Sequence, residues 1–106
     1  MPLRPNKVFP NTYRKNQNNN LILPIQFQKL IGASELEYKA KNIQDLLNQF
    51  IKQYPDLKER IFDKSGQINK FINIYVNSED IRFLGGLKTK LKNNNEVLII
   101  PSIAGG

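Results

Sequence analysis

The residues best placed to do chemistry in this chain are its last two, Gly105 and Gly106, and what they offer is main chain rather than side chain. Lacking Cβ atoms, they can thread a narrow channel and take backbone angles closed to other residues, at a larger entropic cost when fixed. A terminal carboxylate on such a stem is within reach of another protein's active site; taken alone, the pair is equally the end of an ordinary flexible terminus. Side-chain chemistry has less to start from. Cysteine and histidine are both absent, which removes the commonest nucleophile, the usual proton shuttle and most transition-metal ligands. The nine acidic residues are scattered, and Glu79-Asp80 is their only adjacent pair. Neighbours along a strand point to opposite faces, so that pair reads as a solvated turn rather than an acid/base couple.

A chain of 106 residues, 40% of them hydrophobic, suits one domain with a modest core. No apolar run is long enough to span a bilayer and the N-terminus lacks the apolar stretch of a secretory signal, so the expected location is cytoplasmic, with no membrane partner. The net charge of +7 raises the question of nucleic acid, but Arg4, Lys7, Arg14 and Lys15 all fall in the first twenty residues, where no acid occurs. Much of the excess sits there, which argues against a nucleic-acid surface on the domain. With its prolines and the Asn16 to Asn20 run, segment 1–20 reads as a basic, Asn-rich flexible extension.

What must position the tail is a sheet. Leu21, Leu23, Ile25 and Phe27 alternate with polar or outward residues, predicting a strand over 21–28 in which Pro24 marks an edge or an irregularity. After a turn at Gly32, Leu36, Tyr38 and Ala40 alternate with charged residues as a second strand, the two forming a hairpin. Asn42 is placed to cap a helix with Asp45 answering it, and Ile43, Leu46, Leu47, Phe50, Ile51 and Tyr54 form its apolar stripe until Pro55 stops it. A short helical turn is expected through Leu57, Ile61 and Phe62. Phe71 to Asn77 predicts the central strand, and Val97 to Ile100 a continuously apolar last one. That order means an α+β sheet with one main helix on one face. One helix covers one side of a sheet. If Val97 and Ile99 face it, Leu98 and Ile100 face away, forming either a docking patch or a surface covered by a loop or a second copy.

The string from Lys70 to Leu87, KFINIYVNSEDIRFLGGL, followed by NEVLIIPSIAGG from Asn95 to Gly106, resembles the MoaD/ThiS family of sulfur carriers, most of all their CysO-type branch. The resemblance is strong from Phe71 onward, agrees in element order before it, and leaves 1–20 uncovered. Ser78 stands where the CysO-type pattern usually has aspartate. The resemblance implies a ubiquitin-like β-grasp, a mixed sheet of about four to five strands, over residues 21–101, with 102–106 as a flexible tail. It also implies a non-enzymatic carrier that itself binds no cofactor or metal. Its Gly106 would be adenylated by an E1-like adenylyltransferase/sulfurtransferase using ATP and magnesium, then converted to a thiocarboxylate, with Gly105 and Ala104 as slender spacers. The acceptors implied are a cysteine synthase homologue first, then the molybdopterin or thiamine thiazole pathways. Two alternatives stay open: a ubiquitin-like protein modifier, and a β-grasp module whose basic arm binds RNA or an acidic partner. Asn73, Asn77, Glu79, Asp80 and Arg82 of the string have structural readings, as turn hydrogen bonds and an ion pair to Arg82.

Overall fold

The computed structural model describes residues 18–102. Its main helix forms where the sequence caps it: the Asn42 side chain accepts from the Asp45 N–H at 2.7 Å, and the Asp45 carboxylate accepts from the Lys41 N–H at 3.1 Å. These contacts satisfy amides that a helix start would otherwise leave open.

The described residues form five strands and three α-helices. They are β1 Asn19–Ile22, α1 Ile25–Ile31, β2 Glu35–Tyr38, the capped α2 Ile43–Gln53, α3 Lys58–Ile61, β3 Ile72–Val76, β4 Glu79–Asp80 and β5 Glu96–Pro101. Pro55 ends α2 as expected and opens a 3-10 turn, Pro55–Leu57, that leads into α3. The sheet order is β2-β1-β5-β3-β4, with β1 and β5 parallel and the other neighbours antiparallel. This is the mixed sheet of a β-grasp, with α2 packed on one face.

The core lies between that face and α2. Ile43, Leu46, Leu47 and Phe50 of the helix meet Leu21, Ile74, Val97 and Ile99 of the sheet, all of them buried. Phe50 is the hub, with the Phe27 ring stacked at 6.4 Å, Tyr38 edge-on at 6.4 Å and Tyr54 tilted at 5.7 Å.

Three expectations need correcting. The strand expected over 21–28 ends at Ile22, and Ile25–Ile31 is helical. Pro24 is not an edge-strand residue but the helix N-cap: its extended ψ of 161° turns the chain, and its carbonyl accepts from the Phe27 and Gln28 N–H groups. Gly32, at φ 85°, closes that helix, so β1 and β2 pair antiparallel around an inserted helix rather than a tight turn. The central strand is β5, not β3; β5 is apolar on both faces and has a partner on each side. Finally, β1 begins at Asn19, two residues into the segment assigned to the N-terminal extension, where the Asn19 amide donates to the Lys92 carbonyl at 2.6 Å. The character of the extension before Asn18 lies outside the described residues.

Candidate functional site

The sheet delivers the chain to its tail through β5. Strand alternation puts Val97 and Ile99 in the core, 0% and 1% exposed, and leaves Leu98 and Ile100 half-buried on the opposite face. Register completes the surface. Leu98 sits between Ile22 of β1 and Tyr75 of β3, an apolar row across three strands, while Ile100 lies opposite Asn73. The sequence reading of these two positions therefore holds for their orientation, and the row they join required the register.

The strand expected over Val97 to Ile100 is one residue longer at each end: Pro101 is its last residue, opposite Ile72, and the Ser102 N–H donates to the Phe71 carbonyl at 2.7 Å. The tail thus leaves from a pinned root. Beside that root lies a groove of about 260 Å³ lined in part by Pro24, Phe27, Arg60, Phe71 and Pro101. Ala104, Gly105 and Gly106 lie outside the described residues.

The string from β3 to the turn at Gly86 holds the far side of the surface. Asn77 and Ser78, with φ of 49° and 75°, form the two-residue turn between β3 and β4, a left-handed pair that matches the sheet's twist. Asn77 also clamps the start of β5: its N–H donates to the Glu96 carbonyl and its side-chain oxygen accepts from the Glu96 N–H, each at 2.9 Å.

Asp80 differs from the solvated turn expected of Glu79-Asp80. Glu79 is exposed, but Asp80 is 7% exposed and caps the 3-10 turn Ile81–Phe83 by accepting from the Arg82 N–H at 2.8 Å. Its carboxylate takes the Arg82 guanidinium at 2.6 Å, which is the ion pair expected for Arg82. The guanidinium hydrogen bond holds the Asp80 carboxyl below the usual carboxylate range and raises Arg82 in turn. Asp80 is thus an ionised structural group, committed to Arg82 and the backbone. Farther on, the Thr89 hydroxyl accepts from the Gly85 N–H at 2.9 Å and donates to the Gly86 carbonyl at 2.6 Å.

Sequence reasoning missed Phe83 and Leu84, which are 78% and 41% exposed beside β4. Their signal was present: Ile81, Phe83, Leu84 and Leu87 are more apolar residues than a single short turn can bury, and Ile81 takes the core position. Among the described residues no group of three or more His, Cys, Asp or Glu is placed to hold a metal ion. Among the described residues the arrangement is thus a partly apolar sheet face beside a strand whose end is pinned to Phe71.

Comparison with known proteins agrees with that geometry. A family model described as the ThiS family matches residues 22–106. The sulfur carrier protein CysO of Mycobacterium tuberculosis is 35% identical over 77 residues, 71% of this chain and 83% of that protein. The solution structure of small archaeal modifier protein 1 from Methanosarcina acetivorans superposes with a TM-score of 0.75 at 30% identity, covering 88% of this chain and all of that one. A crystal structure of the Amycolatopsis orientalis BexX/CysO complex matches with a TM-score of 0.73 at 29% identity, over 83% of this chain and 99% of the matched chain. These relatives are small carriers and modifiers, on which enzymes act, rather than catalysts. The chain belongs to the ThiS family, the ubiquitin-like sulfur carriers with a β-grasp fold.

Proposed function

We propose that this carrier works through its terminal carboxylate, the Gly106 α-carboxyl, and that the Ile22–Leu98–Tyr75 row with Ile100 docks the enzyme that activates it. The observation that carries the reading is the continuity of β5: the strand that presents Leu98 and Ile100 also runs into the pinned root of the tail. An enzyme seated on that face therefore has the terminus in a defined place, which lowers the entropic cost of presenting it.

An ionised carboxylate is a poor electrophile, so activation precedes sulfur transfer. An E1-like enzyme holding ATP and magnesium joins the carboxylate oxygen to the α-phosphorus, releasing pyrophosphate. The acyl adenylate is neutral at the carbonyl carbon and carries a good leaving group. Sulfide or an equivalent donor attacks that carbon, the C–O bond to AMP breaks, and a thiocarboxylate remains on Gly106. Gly105 and Ala104 keep the approach narrow. The thiocarboxylate then passes its sulfur to an acceptor held by a second enzyme. The identity to CysO supports a cysteine synthase homologue as that enzyme, ahead of the molybdopterin or thiazole pathways. The cytoplasm, where ATP is available, is the proposed location.

The similarity to a small archaeal modifier protein favours a second outcome for the same adenylate, capture by a protein lysine as an isopeptide. Intact mass spectrometry tests the reading. Full-length protein incubated with ATP, magnesium, sulfide and its activating enzyme gains the mass of sulfur minus oxygen, and a variant lacking Gly106 does not. Neither adenylate nor thiocarboxylate with an active enzyme overturns it, and isopeptide-linked species in extracts select the modifier.

A further inference from the structure

Strand β3 keeps part of one edge unpaired. Its bonds to β5 fix which residues turn which way: the Phe71 carbonyl accepts from the Ser102 N–H at 2.7 Å, and the Asn77 N–H donates to the Glu96 carbonyl at 2.9 Å. Successive residues of an antiparallel strand turn their N–H and C=O groups to alternate sides. Asn73 and Tyr75 therefore also face β5, while Ile72, Ile74 and Val76 face away from it. On that far side, among the described residues, β4 meets only Tyr75 and Val76, because the Asp80-capped turn Ile81–Phe83 carries the chain off the sheet. The Ile72 N–H is taken by the Asn69 carbonyl at 3.1 Å. The Ile72 carbonyl and the Ile74 N–H remain. Among the described residues no strand lies against them and no turn or loop backbone group reaches them.

Space is open along the same edge. Ile72, Asn73 and Ile74 line a groove of about 340 Å³, walled by segments 67–70, 80–82 and 86–87. Backbone groups are obligatory hydrogen-bonding groups, so a carbonyl and an N–H two residues apart on one strand edge fit the backbone of an extended peptide. Walls on the groove admit a single extended chain rather than the edge of a second folded copy.

Side chains decide which peptide. A residue opposite Asn73 shares the outer face with Asn73, Tyr75 and Asp80, since Asp80 pairs with Tyr75 and alternate residues share a side. Arg82 commits its Nε and one Nη to Asp80, but its side chain is 67% exposed, and Lys70 also lines the groove. With Asp80 already neutralised, two cations border that position, which suits an acidic residue. The residues on either side of it turn to the opposite face, where Ile68, Ile81 and Leu87 line the groove. Apolar, β-branched side chains suit those two positions.

We propose that the open edge of β3 binds an extended peptide of a partner protein as an added antiparallel strand, with an apolar–acidic–apolar pattern centred opposite Asn73. The residue before the acid offers its carbonyl to the Ile74 N–H, and the residue after it donates its N–H to the Ile72 carbonyl. The peptide thereby continues β4 past the point where the chain leaves the sheet. The site lies across β3 from β5 and uses neither Leu98, Ile100 nor the tail, so it does not rest on the carrier reading, and the peptide is held while the terminus stays free. Two main-chain bonds and two apolar side chains make a weak contact, with a Kd on the order of 0.1–1 mM.

The test is titration of ¹⁵N-labelled full-length protein with a blocked pentapeptide, glycine-valine-aspartate-valine-glycine, followed by amide chemical shifts. Saturable shifts at Asn73, Ile74, Ile81 and Leu87 are expected by about 5 mM peptide, with Leu21 and Glu35 across the sheet unmoved. Methylating the nitrogen of the second valine removes the donor to the Ile72 carbonyl and keeps every side chain; it weakens binding by about tenfold. Lys70→Glu, on an exposed side chain, weakens binding by about three- to tenfold, and asparagine in place of the aspartate removes the salt dependence. No saturable shift at Ile74, or equal binding of the methylated and unmethylated peptides, overturns the proposal. So does movement of the Ile74 amide with protein concentration alone, which assigns the edge to a second copy.

Discussion

Val97 and Leu98 are adjacent in β5 but face opposite sides of the sheet, and on the proposed docking reading truncating each to alanine separates core from interface. Val97 is fully buried against the α2 side, so Val97→Ala removes two buried carbons, about 1.6 kcal/mol by transfer, and with the residual cavity about 2–3 kcal/mol. For a domain of this size that lowers Tm by about 8–20 °C. Leu98 is half-buried on the outer face, so Leu98→Ala removes three carbons already partly in water, about 1 kcal/mol. Its larger effect falls on association. Losing a central apolar contact of a docking face costs about 1–2 kcal/mol, or about 5–30-fold in Kd. Thermal denaturation followed by calorimetry, with titration of the activating enzyme below both transitions, reads the two quantities. In turnover, Leu98→Ala raises the KM for carrier at unchanged kcat, whereas Val97→Ala leaves both near the parent values. The reasoning is refuted if Val97→Ala weakens binding as much as Leu98→Ala does, or if Leu98→Ala leaves Kd unchanged.

Burial, with a smaller contribution from Tyr54, pushes Tyr38 from 10.0 up to about 12, and its hydroxyl donates to Gln53 at 2.6 Å. The stability linked to this group is intact below pH 10 and is lost as pH rises through 12, by at most about 2 kcal/mol after solvent screening; Tyr38→Phe removes the latest phase of an ultraviolet phenolate titration. Asp80→Ala deletes the cap of the Ile81–Phe83 turn and the partner of Arg82, and urea denaturation should show a loss of about 1–2 kcal/mol. Because the Asp80 carboxyl is held below its ordinary range, its contribution is present above about pH 4 and is lost as pH falls through the lowered value; Asp80→Asn therefore flattens the acid limb of the stability curve. Ser78 adopts φ 75°, a left-handed conformation that glycine takes without Cβ strain, so Ser78→Gly should raise the urea midpoint by the equivalent of about 0.5–1 kcal/mol.

How much of this was legible in the sequence depended on the reach of the signal. The α2 stripe and its Asn42 cap were readable because every determinant lies within four residues, and the structure shows both. The inserted α1 was not. Its Ile25 and Leu30 are 59% and 61% exposed, so it buries no stripe of its own; Phe27 alone is buried, and the Leu21–Leu23–Ile25–Phe27 alternation imitates a strand. Asp80 was misread because its cap spans two residues, too short for any period. The central place of β5 depends on pairings with β1 and β3 from distant parts of the chain, which periodicity does not encode. At the candidate site the two faces of β5 followed from alternation, while the Ile22–Leu98–Tyr75 row and the carboxylates beside it needed register.

That division has a chemical cause. In the proposed reaction the reactive group of this carrier is a main-chain carboxylate, so its side chains have no electrons to move and no proton to hold. On that proposal they act by recognition, through the area and charge of a sheet face and through the pinned exit of one strand. A sequence advertises catalytic side chains by residue type, but it advertises a face only through alternation, and alternation fixes which residues share a side without fixing their neighbours. Glu35 and Leu98 are sixty-three positions apart and lie in one row only because β1 pairs with both β2 and β5. The order β2-β1-β5 is thus what turns scattered glutamates and a continuous apolar strand into one surface. For a carrier whose proposed reactive group is main chain, strand order carries the information that an active-site motif carries in an enzyme.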